Sequence, residues 1–173
     1  MKKIFLPILL FTATVAFSQD LPKLELNRDG VQPIVVNIDS FTVQTLYKKS
    51  LNWVQENNKN PKEVLKTDIE NETIRIAGLK NNACYYKSLG IKMSYDLEYL
   101  FQIDLKDNKV RLTFIPGQLW NGNQKVLYDY KSFFKNDGEI RSMYKDAKTS
   151  MEQSMNDLVF SLYNFIKGKK REW

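Results

Sequence analysis

IKMSYDLEYLFQIDL, residues 91–105, places Ile91, Met93, Tyr95, Leu97, Tyr99, Phe101, Ile103 and Leu105 at every second position. Lys92, Ser94, Asp96, Glu98, Gln102 and Asp104 stand between them. A period of two held over this length specifies a β-strand with one face buried and the other in water. Taking Asp107 and Asn108 as a turn sets Leu105 opposite Val110, Ile103 opposite Leu112 and Phe101 opposite Phe114, with Asp104 opposite Arg111 on the other face. A slip of one residue destroys every one of these matches, so the register is strongly specified. A sheet wet on one side needs cover on the other, and that cover is expected to be helical.

Working outward, Ile69 to Gly78 reads as part of a second hairpin. With Asn71 and Glu72 as its turn, Ile69 would face Ile74, Thr67 would face Ile76, and Asp68 would face Arg75. Upstream, Val31 to Asp39 reads as a strand, and Ser40 is placed to cap a helix running to about Asn57. In that helix Val43, Leu46, Tyr47, Ser50, Trp53 and Val54 share one face, and Pro61 stops its continuation. Downstream, Ala147, Met151, Met155, Leu158, Val159, Leu162, Phe165 and Ile166 form an apolar stripe on a helix from about Lys145, with Gly168 at its end cap. Gly117 to Tyr144 reads as an irregular, aromatic-rich arm with one short strand near Lys125 to Tyr130.

The expected organisation is a single α+β domain over 31–168, with core 31–116, arm 117–144 and C-terminal helix 145–167. A flexible segment 19–30 precedes it and a basic tail 169–173 follows. The expected order is β-α-β-β-β-β plus the C-terminal helix.

The N-terminus carries an address. Lys2 and Lys3 precede an apolar run from Ile4 to Phe17, and Ala16 and Ser18 supply small residues before a cut after Ser18. That run is too short to span a bilayer, which takes ~20 residues. The expectation is an exported protein, periplasmic or secreted, beginning at Gln19 and without a transmembrane segment once the leader is removed. The full chain of 173 residues has a formal charge of +6. Loss of Lys2 and Lys3 leaves +4, concentrated in Lys167, Lys169, Lys170 and Arg171. Such cations stabilise the negative end of a preceding helix dipole, and they also attract anionic envelope polymers or lipid head groups. Cys84 is the one cysteine, so no intramolecular disulfide can form.

Chemistry is narrowed by exclusion. The chain has no histidine, which removes Ser-His-Asp and Cys-His catalysis and histidine-bearing zinc sites. Gly117 and Gly122 have phosphate-loop spacing, but Asn123 and Gln124 stand where Lys and Ser or Thr are needed. Asp104, Asp107 and Asn108 lack the glycine and distal glutamate of a calcium loop and read as a turn. Cys84 reads as a structural thiol, its only nearby activators being Lys80 and Lys87. No catalytic residue, cofactor or metal is assigned. Asp96 and Glu98 share a strand face about 7 Å apart, a spacing some glycoside hydrolases use, and a glycan hydrolase is the alternative reading. Their alternation with apolar residues favours a solvated sheet face.

The constellation with the most scope is Trp120, Lys125, Tyr128 and Tyr130, next to Phe133 and Phe134, because aromatic platforms beside amides and cations hold sugars or peptides. The same aromatics can instead pack on the sheet.

The stretch Ile34 to Phe114 resembles a family of exported bacterial domains of unknown function described as having a TATA-binding-protein-like (TBP-like) fold. The carriers are Leu51-Asn52-Trp53-Val54, Asn60-Pro61-Lys62-Glu63-Val64-Leu65, the Ile69 to Gly78 hairpin, and Tyr95 to Asp104 with its return Lys109 to Phe114. The resemblance implies a curved antiparallel sheet with helices on one face, together with export, and no activity. Nucleic acid is not an expected partner, since Asp96, Glu98 and Asp104 on the polar face would repel phosphate. The leading expectation is a non-enzymatic envelope module contacting a glycan, peptide or protein partner through the arm aromatics or the sheet.

Overall fold

The computed structural model describes residues 21–168; the expected signal peptide 1–18, the start of the segment 19–30 and the basic tail 169–173 lie outside the described residues. The long alternating strand is β6 (Ile91–Lys106), and it returns through Asp107 and Asn108 into β7 (Lys109–Asn121). Every pairing expected for this hairpin is present: Leu105 with Val110, Ile103 with Leu112, Phe101 with Phe114 and Asp104 with Arg111. β5 (Thr73–Ser88) lies on the other side of β6, β4 (Leu65–Ile69) flanks β5, and β3 (Ile34–Asn37) flanks β7. All of these pairs are antiparallel, in the order β3-β7-β6-β5-β4. The fold is α+β, with its helices on one face of the sheet.

Those helices are α1 (Val43–Asn57) and α3 (Lys145–Ile166), the short α2 (Pro61–Val64) leading into β4. α1 buries Leu46, Ser50, Trp53 and Val54. α3 buries Ala147, Met151, Met155, Val159, Leu162 and Ile166. Both stripes meet Ile74, Ile76, Leu97, Phe101, Ile103 and Leu112 from the sheet. The first turn of α1 is capped by Thr42 rather than Ser40: Thr42 Oγ1 accepts from the Thr45 N–H at 3.3 Å, while Ser40 takes a left-handed φ of 71°. The Val43 N–H donates to Asp107 Oδ1 at 2.7 Å, so the β6–β7 turn also caps the helix.

The β4–β5 register differs from the expected one by a residue. Ile69 pairs with Thr73, Asp68 with Ile74 and Thr67 with Arg75, and a bulge then sets Leu65 opposite Ile76. The turn spans Glu70 to Glu72, with Asn71 at φ 61° and the Glu72 N–H donating to Ile69 O at 3.0 Å. The cause is long-range. β6 binds β5 with Ile74 against Ile103 and Ile76 against Phe101, so these isoleucines fill the core and Ile69 falls on the open face, 47% exposed. Asp68 then accepts from the Tyr47 hydroxyl at 2.8 Å, and Arg75 pairs with Gln102.

β5 and β7 run further than their sequences suggest. β5 continues past Gly78, through a bulge between Lys80 and Cys84, to a turn at Leu89 and Gly90. At that bulge two serines of α3 satisfy strand backbone: the Tyr85 N–H donates to Ser150 Oγ at 3.1 Å and Ser154 Oγ donates to Ala83 O at 2.9 Å. β7 continues to Asn121, so Gly117 to Asn121 is sheet rather than arm, and the arm's strand is only β8 (Gln124–Lys125). A bulge opposite Glu98 allows this, and glycine suits the close approach there: a Cβ on Gly117 would lie 3.0 Å from Glu98 O, tighter than an ordinary contact.

The stretch 19–30, expected as flexible, is packed where it is described. β1 (Leu26–Asn27) and β2 (Gly30–Val31) form a small hairpin, and Leu24 and Leu26 are 1% and 0% exposed in the core. Asn156 of α3 grips Leu24 from both sides, accepting from its N–H at 2.8 Å and donating to its carbonyl at 2.9 Å. Glu152 accepts from the Leu26 N–H at 2.8 Å. Alternating Leu24 and Leu26 supply two apolar anchors, and α3 supplies the pairing groups that a neighbouring strand would otherwise provide.

Candidate functional site

Among the described residues no helix covers the sheet face away from α1 and α3. β5, β6 and β7 align on it Thr73, Asp104 and Arg111, then Arg75, Gln102 and Thr113, then Ala77, Leu100 and Ile115. The first two rows form a polar network. Asp104 accepts from Thr73 Oγ1 at 2.9 Å and Gln102 Nε2 at 2.7 Å, and pairs with Arg111 at 2.8 Å. Partial burial pushes the Asp104 carboxyl up, but the donors from Gln102, Arg111 and Thr73 outweigh it and hold the group below its usual value. A carboxylate depressed in the folded state contributes stability that is present above its unfolded pKa and lost as pH falls through the folded pKa. We expect the melting temperature to drop on acidification through and below the ordinary carboxylate range, and Asp104→Asn to flatten that dependence while costing about 1–2 kcal/mol at neutral pH. A melting series against pH on both proteins checks it, and parallel curves would refute the assignment.

The third row is apolar and borders a recess of about 380 Å³. Ala77, Leu79, Leu100 and Ile115 line it, with Gly78 and Gly117 giving it depth and Glu63, Lys66 and Glu98 standing around it. Leu79 and Ile115 are 54% and 46% exposed. Gly78 is a site of close approach: a Cβ there would meet the Tyr99 ring at 2.5 Å, and that ring stacks on Phe114 at 5.2 Å between centroids. Lys66 donates to Glu63 O at 2.8 Å, whereas Glu98 has no hydrogen bond or ion pair among the described residues.

The constellation read from the sequence divides between the two faces. Trp120 pairs with Asp96 on β6 and with Lys125 on β8, so Trp120 and Lys125 lie on the open face, beyond the recess. Trp120 is half-buried, and its indole Nε1 has no hydrogen-bond partner among the described residues. Tyr128 and Tyr130 lie on the covered side. Tyr128 donates to the Tyr95 hydroxyl at 3.2 Å, and Tyr95 donates to Tyr86 at 3.4 Å. Burial pushes the Tyr95 and Tyr128 hydroxyls up from the ordinary phenol value and keeps them protonated. Tyr130 is buried with Phe133 and Phe134, and Phe133 stacks on Tyr144 at 4.9 Å. The arm aromatics thus close one end of the core, apart from Trp120 at its root.

Asp96 accepts from the Asn82 N–H at 2.7 Å, pinning the β5 bulge where Asn82 takes φ 52°, and Glu98 is exposed. Neither carboxyl is enclosed as a general acid must be. Cys84 is buried in apolar surroundings, which push its thiol up to about 12 and leave it a packing residue. Among the described residues no three Cys, Asp or Glu side chains gather as a metal site requires. The recess itself is absent from the sequence reading. Its signal was Leu100, the apolar residue that interrupts the polar series of β6, together with the register that sets Ile115 opposite it.

Residues 34–115 match the model of a family described as a domain of unknown function (DUF4468) with TBP-like fold. That match coincides with the stretch whose resemblance was legible in the sequence. Two crystal structures are similar in fold. A TBP-like protein from Parabacteroides distasonis ATCC 8503 is 12% identical, with 80% of this chain and 93% of that one covered, at a TM-score of 0.59. A DUF4468 family protein from Bacteroides ovatus ATCC 8483 is 13% identical, with 84% and 90% covered, also at 0.59. No curated protein matches the chain.

Proposed function

We propose that this TBP-like α+β protein, whose segment 34–115 matches a family without an assigned activity, is an exported, non-enzymatic binding module that receives a peptide segment of a partner on its open sheet face. One observation carries the reading: the recess on that face is floored by Ala77, Leu100 and Ile115 where an ordinary solvated sheet face would be polar. An apolar side chain fits the floor, and Glu98 beside it favours a Lys or Arg neighbouring that side chain in the partner. Trp120 and Lys125 extend the same face and would contact the segment beyond the recess. The signal-peptide features of residues 1–18 support a role outside the cytoplasm.

A peptide array probed with folded protein starting at Gln19 tests this. Capture of apolar, basic peptides is expected, with loss of capture in the Leu79→Ser, Ile115→Ser double variant. Glu98→Lys is expected to shift the preference from basic to acidic flanks. Absence of capture by folded wild type, or an unchanged peptide set in the double variant, would overturn the reading.

A further inference from the structure

We infer that the tip of the β5–β6 hairpin, together with Met143 on the segment packed against its root, inserts into the surface of a phospholipid bilayer. β7 accompanies β6 no further than Asp96, opposite Trp120, so from Tyr95 to Ile91 β5 is the only strand partner of β6 among the described residues. The turn at the end of this ribbon holds Leu89 at φ 50° and Gly90 at φ 81°. Leu89 is 99% exposed and Ile91 68%.

The apolar series of β6 outruns its cover. Tyr95, Met93 and Ile91 continue the inward face of the strand, and they pass from buried through half-buried to exposed as the tip is approached. α3 meets β5 where the Tyr85 N–H donates to Ser150 Oγ, and α3 begins only at Lys145. The 3-10 turn before it, Ser142–Tyr144, packs on β5 with the Tyr144 ring edge-on to Tyr86 at 5.2 Å. Met143 in that turn is 50% exposed.

Leu89 touches almost nothing on its own molecule, so an occupant that buries it must surround it. A bilayer does this without a matching pocket, whereas a protein partner would need one pocket for the tip and another surface for Met143. Behind the tip, Lys87 and Lys92 pair directly across the ribbon on its opposite face, and like charges so placed cost stability. Lys92 Nζ lies 4.1 Å from the centroid of the Tyr85 ring. Lysine stems that reach back from an apolar tip toward phosphate, with a tyrosine at the same level, are suited to a membrane interface. Carboxylates stand on this side too, Asp146 in the first turn of α3 and Asp96 on β6, so charge selects no particular head group and the aliphatic side chains decide. No described helix is long and apolar enough to cross a membrane, so this contact would be peripheral. The tip is separate from the open-face recess, and either proposal can fail without the other.

Flotation of the chain lacking residues 1–18 with phosphatidylcholine vesicles tests the inference. Binding is expected, and it should persist in high salt. Leu89→Ser with Ile91→Ser should weaken partitioning on the order of 100-fold, about tenfold for each aliphatic side chain, without lowering the melting temperature. A Leu89→Trp reporter should be quenched by brominated phosphatidylcholine, and a Leu127→Trp reporter on the equally exposed arm should not. The Leu79→Ser, Ile115→Ser variant should partition as wild type. Absence of partition, equal quenching of the two reporters, or unchanged partition in the folded Leu89→Ser, Ile91→Ser protein overturns the proposal. Self-association that this variant abolishes, without any partition of wild type onto vesicles, also overturns it and assigns the tip to a protein contact.

Discussion

Leu26→Ala is expected to lower the unfolding free energy by about 2–5 kcal/mol, the range for a fully buried leucine truncated to alanine. The effect should be large because Leu26 sits in a strap rather than a main strand. Its N–H is held by Glu152 and its neighbour Leu24 by Asn156, so the side chain is delivered to the core at a defined depth. Removing the side chain leaves a cavity between the strap and α3 that rigid neighbours can close only in part. Urea denaturation of wild type and variant measures it. A change below about 0.5 kcal/mol, the range of a surface substitution, would mean that the strap contributes no core packing. Asn156→Ala should cost less, because it removes the two hydrogen bonds to Leu24 while leaving both leucines in place.

Trp53→Ala should be at least as severe, about 3–5 kcal/mol. Trp53 is fully buried between α1 and the sheet, edge-on to Phe101 at 6.1 Å, and its indole N–H donates to Ser161 Oγ of α3 at 3.0 Å. One side chain thus joins both helices to β6. For a domain of this size each kcal/mol corresponds to about 2–4 °C of melting temperature, so a loss of roughly 10 °C is expected in a thermal melt. Trp53→Phe should retain most of the packing and isolate the cost of the hydrogen bond. If Trp53→Phe were as damaging as Trp53→Ala, the hydrogen bond and not the packing would be the dominant contribution.

These two residues also show what could be read in advance. Trp53 belongs to a helical stripe from Val43 to Val54, a local pattern that assigns a residue to the core without knowledge of its partners. Leu26 belongs to no periodic stretch, since it lies in a strap whose pairing groups come from side chains more than a hundred residues away. The β6–β7 register was legible because both strands alternate and one close turn joins them. The β4–β5 register was not, because β6, rather than the turn, decides which residues of β5 face inward. The continuation of β5 to Ser88 was hidden in the same way: its alternation breaks at the bulge, and serines from α3 complete the edge there.

The candidate site divides along the same line. The aromatic and cationic chemistry of Trp120, Lys125, Tyr128 and Tyr130 suggests one platform, but β7 and β8 place only the first two on the open face. Tyr128 and Tyr130 leave the sheet and turn under it, where Tyr95, Tyr86 and Phe133 offer more buried area than water does. The recess needs residues from α2, β4, β5, β6 and β7 at once. No local window holds that information.

By itself the sequence determined the α+β class, the antiparallel β6–β7 hairpin with its register, the buried stripes of α1 and α3 and the wet and dry faces of the sheet. It did so because periods of two and of three to four residues report burial locally. Only the tertiary structure decided the strap at Leu24 and Leu26, the inward turn of the arm tyrosines, the recess on the open face and the exposed tip at Leu89 and Ile91. Each of these depends on which distant segment supplies, or withholds, the partner for a backbone group or an apolar side chain.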